Sequence, residues 1–430
     1  MSEKLALLGG PPAIPEKFPP YNPYGPEEAA AAQKVIASGV LSKFLGTWHE
    51  DFYGGEKVRE FERAWAQYFQ VSHAVTVNSA TSGLIAAVGA LGVEPGDEIV
   101  VTPWTMCATA TAILVWNAIP VFADIEPDTF NLAPKSLEAK ITPRTRAVLV
   151  ADIFGHAADL DAIMALAQKY GLKVIEDAAQ APAAIYHGRY VGTIADIGVF
   201  SLNYHKHIHT GEGGVCVTHD PVLAERMQLI RNHGEAVVAG KGVTDLTNIV
   251  GFNFRLGEIE AAMGIEQLKK LKRLTDAKSR AGARLSAGLA GLQGLQTPVV
   301  KEGCTHVYYV YPLKIEVNAL GVSRARIAAA LRAEGVPGVT EGYTNIHLLP
   351  MYQKKVAYGR KGFPWVKEIY PGNISYEKGI CPVAEDLQDR AMMGLPLCLH
   401  NYSDPETDLV IRAFHKVWNQ LDVLRHLDRK

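Results

Sequence analysis

Lys206 stands in the run Phe200-Ser201-Leu202-Asn203-Tyr204-His205-Lys206-His207-Ile208-His209-Thr210-Gly211-Glu212-Gly213-Gly214, between a β-rich stretch and a glycine-rich turn. An ammonium held there in one pose loses basicity to desolvation and to any neighbouring cation, and the free amine is then nucleophilic enough to form an imine. Most lysines are solvated surface groups, but few have such surroundings. His205, His207 and His209 alternate, and on a strand they would share one face as metal ligands. Turn residues surround them and Lys206 has a better use, so no metal is expected.

Asp177 closes a second run, Lys173-Val174-Ile175-Glu176-Asp177-Ala178-Ala179-Gln180, and would emerge from a buried strand with its carboxylate facing a crevice. A buried carboxylate needs a cation or several donors. A protonated pyridine nitrogen is one such cation, and the pairing keeps the ring an electron sink. Taken alone, an aspartate at a strand end also serves as a helix cap or as a metal or ribose ligand. A third place is Asn78-Ser79-Ala80-Thr81, where Ser79 and Thr81 open a helix directly after a strand. Free N–H groups and the helix dipole there suit a phosphate, although a well-capped helix needs no ligand. The fourth is Thr102-Pro103-Trp104-Thr105-Met106.

These four places follow strand candidates, and in open α/β sheets ligands sit at the carboxyl ends of strands. The candidates are His73-Val77, Glu98-Thr102, Ile119-Ala123, Arg146-Val150, Leu172-Glu176, Ile197-Ser201 and Gly214-Thr218, alternating with segments of helical length such as Thr81 to Leu91 and Asp159 to Tyr170. Their near-continuous apolar runs predict a largely parallel sheet covered on both faces. An amphipathic helix over Glu258 to Lys272 is the expected bridge to a second domain. Past about residue 275 come strand candidates (Val307 to Ile315), helices (Arg324 to Glu334, Asp408 to His426) and a Pro/Gly/Tyr-rich stretch from Tyr343 to Gly379. The division expected is an extended arm over 1–25, a large α/β domain over 26–275 and a smaller α+β domain over 276–430.

At 430 residues, 48% hydrophobic and 20% charged, the chain is too long for one compact core. A net charge of −2 leaves no basic footprint for nucleic acid or an anionic membrane. The five cysteines are far apart and form no CxxC pair, which predicts reduced, mostly buried thiols. The N-terminus does not read as a signal peptide and the longest apolar run, Cys107 to Ala123, is broken by Asn117 and Pro120, so a cytoplasmic protein is expected. No GxxxxGK[ST] loop occurs and no GxGxxG follows the first strand, which disfavours a nucleoside triphosphatase or a Rossmann dehydrogenase.

Together the segments resemble the DegT/DnrJ/EryC1/StrS sugar aminotransferases, which are pyridoxal 5′-phosphate-dependent and of fold type I. The likeness spans nearly the whole chain, in Asn78-Ser79-Ala80-Thr81, Pro95-Gly96-Asp97-Glu98, Glu176-Asp177-Ala178-Ala179-Gln180, Phe200-Ser201 with Lys206, Thr210-Gly211-Glu212-Gly213-Gly214 and Gly251-Phe252-Asn253-Phe254-Arg255. The resemblance implies that Lys206 carries the cofactor as a Schiff base, that Asp177 pairs with the pyridine nitrogen and that Gln180 approaches the ring hydroxyl. Thr81, the backbone at Ala80, and Ser201 would hold the phosphate beside Ser79. Asn253 would reach the phosphate of a neighbouring subunit, making the active unit a homodimer with shared sites. Ala80 stands where the family has glycine, and the Thr102 to Met106 segment departs from the family pattern, so either Met106 covers the ring face or Trp104 swings in to stack on it.

The implied reaction is a ping-pong transamination in which L-glutamate or L-glutamine gives nitrogen to a ketone on a nucleotide-linked deoxysugar or a cyclitol, with the Lys206 amine shuttling the proton. Two rivals are an enzyme making an aminobenzoate-type ring and a non-catalytic regulator that binds the same cofactor. Relatives that act as dehydratases place histidine at the Schiff-base position, and Lys206 argues against that branch. Two aromatic segments, Tyr343 to Pro382 (with Tyr352, Tyr358, Phe363, Trp365 and Tyr370) and Leu41 to Gly55 (with Trp48 and Tyr53), are candidates either for acceptor contacts or for satellite packing.

Overall fold

Seven strands form the central sheet of the computed structural model, which describes residues 3–428. In chain order the strands are β1 (His73–Val77), β2 (Glu98–Val101), β3 (Ile119–Phe122), β4 (Thr145–Ala151), β5 (Lys173–Asp177), the small hairpin β6 (Ile185–Tyr186) and β7 (Arg189–Tyr190), β8 (Ile197–Ser201) and β9 (Gly214–Thr218). The hairpin stands apart, and the sheet order is β1-β9-β8-β5-β4-β2-β3. Only β9 runs against its neighbours; β8, β5, β4, β2 and β3 pair in parallel. The carboxyl ends of β1, β2, β4, β5 and β8 therefore line one edge, and the start of β9 joins them.

Successive residues on these strands face opposite ways and both ways are buried. Ile99, Val101, Leu149 and Ile175 enter one core with the helices Ala80–Ala90, Cys107–Val115 and Pro221–Arg231. Val100, Val148, Val150 and Val174 enter the other with Val58, Phe61 and Trp65 of the helix Glu56–Phe69 and Leu160 and Ile163 of Leu160–Tyr170. That double burial is why the strands read as continuous apolar runs.

A second sheet is antiparallel throughout, in the order β10-β11-β13-β12, from β10 (Leu295–Gln296), β11 (Tyr311–Ile315), β12 (Thr340–Glu341) and β13 (Met392–Leu395). It packs with the helices Arg324–Ala333 and Asp404–Trp418 into a third core, giving the smaller α+β part of the molecule. The helix begun at Glu258 runs to Leu289 and puts Ala281, Leu285 and Leu289 into this core, so the boundary expected at 275/276 falls inside it. The N-terminal segment also belongs here. Leu5, Ile14 and Phe18 are buried in it, each worth about 1.5–3 kcal/mol. Glu334 ties the segment down, accepting from the N–H groups of Ala6 (2.8 Å) and Ala13 (2.9 Å) and pairing with Lys416 (2.9 Å). Residues 1, 2, 429 and 430 of the expected arm and C-terminal domain lie outside the described residues. No described helix is long and apolar enough to cross a membrane.

The aromatic stretch after Tyr343 covers an edge. β3 ends the central sheet, and Tyr352 and Tyr376 pack on its Phe122 with ring centroids 5.3 and 5.6 Å away. Tyr376 donates to the carbonyl of Pro120 (2.8 Å), Tyr358 to that of Leu114 (3.1 Å), and Tyr370 to the buried Glu98 carboxylate (2.6 Å). These aromatics are packing that blocks an open strand edge.

Candidate active site

A cavity of about 360 Å³ opens where the strand ends meet the smaller part of the molecule. A larger hollow, of about 560 Å³, lies beside Lys314 and Arg390, far from the strand ends. The smaller cavity is where the chemistry-bearing residues converge: Ser79, Ala80, Thr81, Met106, Asp177, Gln180, Ser201 and Lys206 all line it.

Lys206 is brought there by a turn closed by its own N–H to the carbonyl of Asn203 (2.9 Å), and only 6% of it is exposed. Burial pulls its ammonium down to about 8, against the opposing pull of Asp177 and Cys398. Asp177 ends β5. Its neighbour Glu176 faces the other side and is held by the N–H groups of Gly192, Ile194 and Ala195 at 2.6–2.7 Å. Asp177 has less: the Thr109 hydroxyl (2.8 Å) on one oxygen and the Ala179 N–H (3.2 Å) on the other, and burial raises its carboxyl.

Beside them, Ser79 caps the helix Ala80–Ala90 by accepting from Ser82 N–H (3.1 Å). The N–H groups of Ala80 and Thr81 have no acceptor within that helix, as for any first turn. β9 passes close to this turn: a Cβ on Gly214 would stand 2.8 Å from the Ala80 nitrogen, so glycine there keeps the cradle open. Ser201 faces the same space. Gln180 is fixed by accepting from Phe154 N–H (2.9 Å) and donating to the Tyr343 hydroxyl (3.2 Å).

Two expected residues stand elsewhere. Trp104 is fully buried in the core, its ring centroid 6.1 Å from that of Tyr343, and does not line the cavity. Met106 does, and is 57% exposed. Asn253 is exposed outside the cavity, accepting from Arg255 Nε (2.7 Å), with its carbonyl 3.4 Å from the Asn78 amide. The three alternating histidines diverge: His205 lines the cavity, His207 bonds the carbonyl of Val307 and His209 packs against Tyr24. No cluster of three or more potential metal ligands occurs among the described residues.

The sequence reading missed Thr109, Tyr309 and the orientation of His205, whereas Tyr343 opens the stretch expected to serve either acceptor contacts or packing. Thr109 had a local signal, sitting one turn after Thr105 with their hydroxyls 3.0 Å apart. Tyr309 had none, because it arrives from beyond residue 300.

Residues 46–393 match the model of the DegT/DnrJ/EryC1/StrS aminotransferase family. The chain belongs to this family. Spore coat polysaccharide biosynthesis protein SpsC of Bacillus subtilis (strain 168) is 35% identical over 82% of this chain and 89% of its own length. The L-glutamine:2-deoxy-scyllo-inosose aminotransferase of Streptomyces lividus is 33% identical over 97% of this chain and 98% of its own. The crystal structure of DesI in the presence of its TDP-sugar product superposes with a TM-score of 0.79 at 27% identity, covering 98% of this chain and 97% of that one. The fold is that of type I pyridoxal phosphate enzymes, and the protein is a pyridoxal 5′-phosphate-dependent aminotransferase. The cavity fits that cofactor on its own terms: an under-partnered buried carboxylate, an open helix N-terminus for a phosphate and a buried amine of lowered basicity share one space.

Proposed function

We propose that Lys206 tethers the cofactor and carries the proton, that Asp177 holds its ring nitrogen, and that Ser79, Ala80, Thr81 and Ser201 cradle its phosphate, with Gln180 beside the ring hydroxyl. The observation that carries this reading is the meeting of Lys206 and Asp177, 29 positions apart in sequence, in one buried cavity. When bound, pyridoxal phosphate supplies the electron sink that lets a C–H bond next to the amino group ionise. Lys206 does the rest through Nζ: once released by the amino donor, its amine takes the proton from the donor's α-carbon and returns it on the cofactor side. Burial that holds its basicity near 8 suits that exchange at neutral pH. Asp177 stays in place throughout, oriented by Thr109 and Ala179. Met106 lines the cavity and would cover the ring through its thioether.

The donor in this reading is L-glutamate or L-glutamine, and the acceptor a ring ketone on a cyclitol or a nucleotide-linked deoxysugar. Support comes from the relatives that cover nearly the whole chain, one named for a cyclitol and one seen with a TDP-sugar. The reading takes 26–275 as the cofactor-binding part, 276–430 as the part that walls the cavity through Tyr309 and Tyr343, and 1–25 as an arm docked on the latter. The active unit is a homodimer. Favouring it, Leu41, Leu45, Trp48, Leu246 and Val250 are exposed on two adjoining segments linked by Lys241 over the Trp48 ring and by Asn232, which donates to the Leu45 carbonyl at 2.9 Å. Five free thiols fit a reducing cytoplasm.

The purified enzyme is expected to absorb as a yellow protein, to lose that absorbance on adding the donor and to regain it with an accepted ketone. A panel of inososes and TDP-linked keto-sugars identifies the acceptor. Lys206→Ala is expected to lose at least ~10³-fold in steady-state turnover, since one amine fills two roles. Near-normal turnover of that variant refutes the assignment.

A further inference from the structure

The Lys206 amine lies 4.1 Å from the centroid of the Tyr309 ring, and among the described residues its Nζ makes no hydrogen bond or ion pair. Tyr309 reaches this point from just before β11, in the smaller part of the molecule, and its hydroxyl is 3.0 Å from Nδ1 of His205, the residue preceding Lys206. We propose that the Tyr309 ring, locked by His205, is the seat on which the Lys206 amine rests when it is detached from the cofactor, making Tyr309 a positioning residue for the proton carrier. The proposal rests on the role assigned to Lys206 above.

The physical case has three parts. An aromatic face attracts an ammonium, and at a desolvated site this weights the charged form roughly two- to thirtyfold. The ring faces no competing cation. Burial holds His205 down at about 4 and His207 at about 3, so both imidazoles are neutral at pH 7, and burial raises the Tyr309 phenol. The remaining groups acting on Lys206 are Asp177, from the end of β5, and Cys398, from beyond β13; both favour the ammonium from a distance while burial opposes it. Finally, the bond to His205 couples the ring to the Lys206 turn. An unlocked phenol ring would be free to rotate away from a lysine that must leave and return in every cycle.

The test uses the apoenzyme, labelled with trace acetic anhydride across a pH series, with acetylation of Lys206 followed by mass spectrometry. The wild-type amine is expected to titrate near 8. Tyr309→Leu removes the face, destabilises the ammonium and lowers that midpoint by roughly one pH unit. Tyr309→Phe keeps the face but loses the lock, so its midpoint falls by less than that of the leucine variant, and its kcat falls several-fold with the donor KM unchanged. If Tyr309→Leu does not fold, Tyr309→Met takes its place. A midpoint unchanged or raised in the ring-less variant overturns the proposal, as does a Tyr309→Phe midpoint that moves as far as the leucine one. Borohydride trapping of the loaded wild type, followed by peptide mapping, reports separately whether Lys206 is the tether.

Discussion

Glu176 and Asp177 are adjacent on one strand, both buried, and opposite in fate. Burial raises both carboxyls, but Glu176 is repaid by three short N–H bonds on the far side of the sheet, whereas Asp177 has one hydroxyl and one longer N–H contact. The shortfall is what a ring nitrogen cation would make good. Asp177→Asn keeps the shape and removes the charge, so the variant is expected to fold normally and to hold the cofactor less tightly, with kcat roughly 10²-fold lower. Absorbance titration with pyridoxal phosphate and steady-state kinetics check both. Full activity with normal cofactor binding would make Asp177 a structural cap. Asp177 and Lys206 were legible in sequence because a polar residue directly after an apolar strand run has few other places to point. The choice between Trp104 and Met106 was not legible, since it turns on which way the chain bends after Pro103. The bend buries the indole in the core and leaves the thioether in the cavity. Tyr309 was invisible for a different reason: a contact made across more than 100 residues leaves no local pattern.

Elements were read better than the contacts between them. All seven strands of the central sheet fall within one residue of their expected bounds at each end, because each is a buried apolar run punctuated by turn residues. The helix from Glu258 was expected to stop at Lys272 but continues to Leu289, since its apolar stripe runs on through Leu274 in the large core to Ala281, Leu285 and Leu289 against the smaller one. The aromatic stretch after Tyr343 had been equally a candidate for acceptor contacts; apart from Tyr343, it serves as a strap over the β3 edge. Tyr370 is its firmest anchor, a buried phenol donating to Glu98, which also accepts from Thr142 at 2.5 Å. Tyr370→Phe is therefore expected to destabilise the protein by about 1.5–3 kcal/mol, the range for a hydrogen bond to a charged group. Cofactor absorbance and acceptor KM are expected to stay unchanged. Denaturant unfolding beside a kinetic titration separates the two, and a raised acceptor KM without lost stability would return this segment to the active site.

At the scale of the whole molecule, the proposed phosphate cradle offers backbone donors but no cationic side chain among the described residues, and Asn253 is exposed on the loop alongside it without lining its own cavity. In the proposed homodimer, an isologous pairing through the apolar surface around Trp48 and Val250 would carry each Asn253 toward the partner's site. If so, a monomer has no complete site, and specific activity falls on dilution through the dimer dissociation constant. Subunit mixing supplies the sharper measurement. Lys206→Ala homodimers are expected to be inactive, and Asn253→Ala homodimers to be impaired through weaker cofactor retention. In a mixed dimer, the subunit that keeps Lys206 receives an intact Asn253 from its neighbour, while the other site collects both lesions. Equal mixing under verified exchange makes half the dimers mixed, each with one intact site, so activity is expected to reach roughly a quarter of wild type plus the residue from Asn253→Ala homodimers. Were Asn253 to act within its own subunit, every site in the mixture would carry at least one lesion and activity would equal the mean of the two parents. Recovery above that mean, at a pyridoxal phosphate concentration too low to saturate Asn253→Ala, is thus the signature of a site built by two chains.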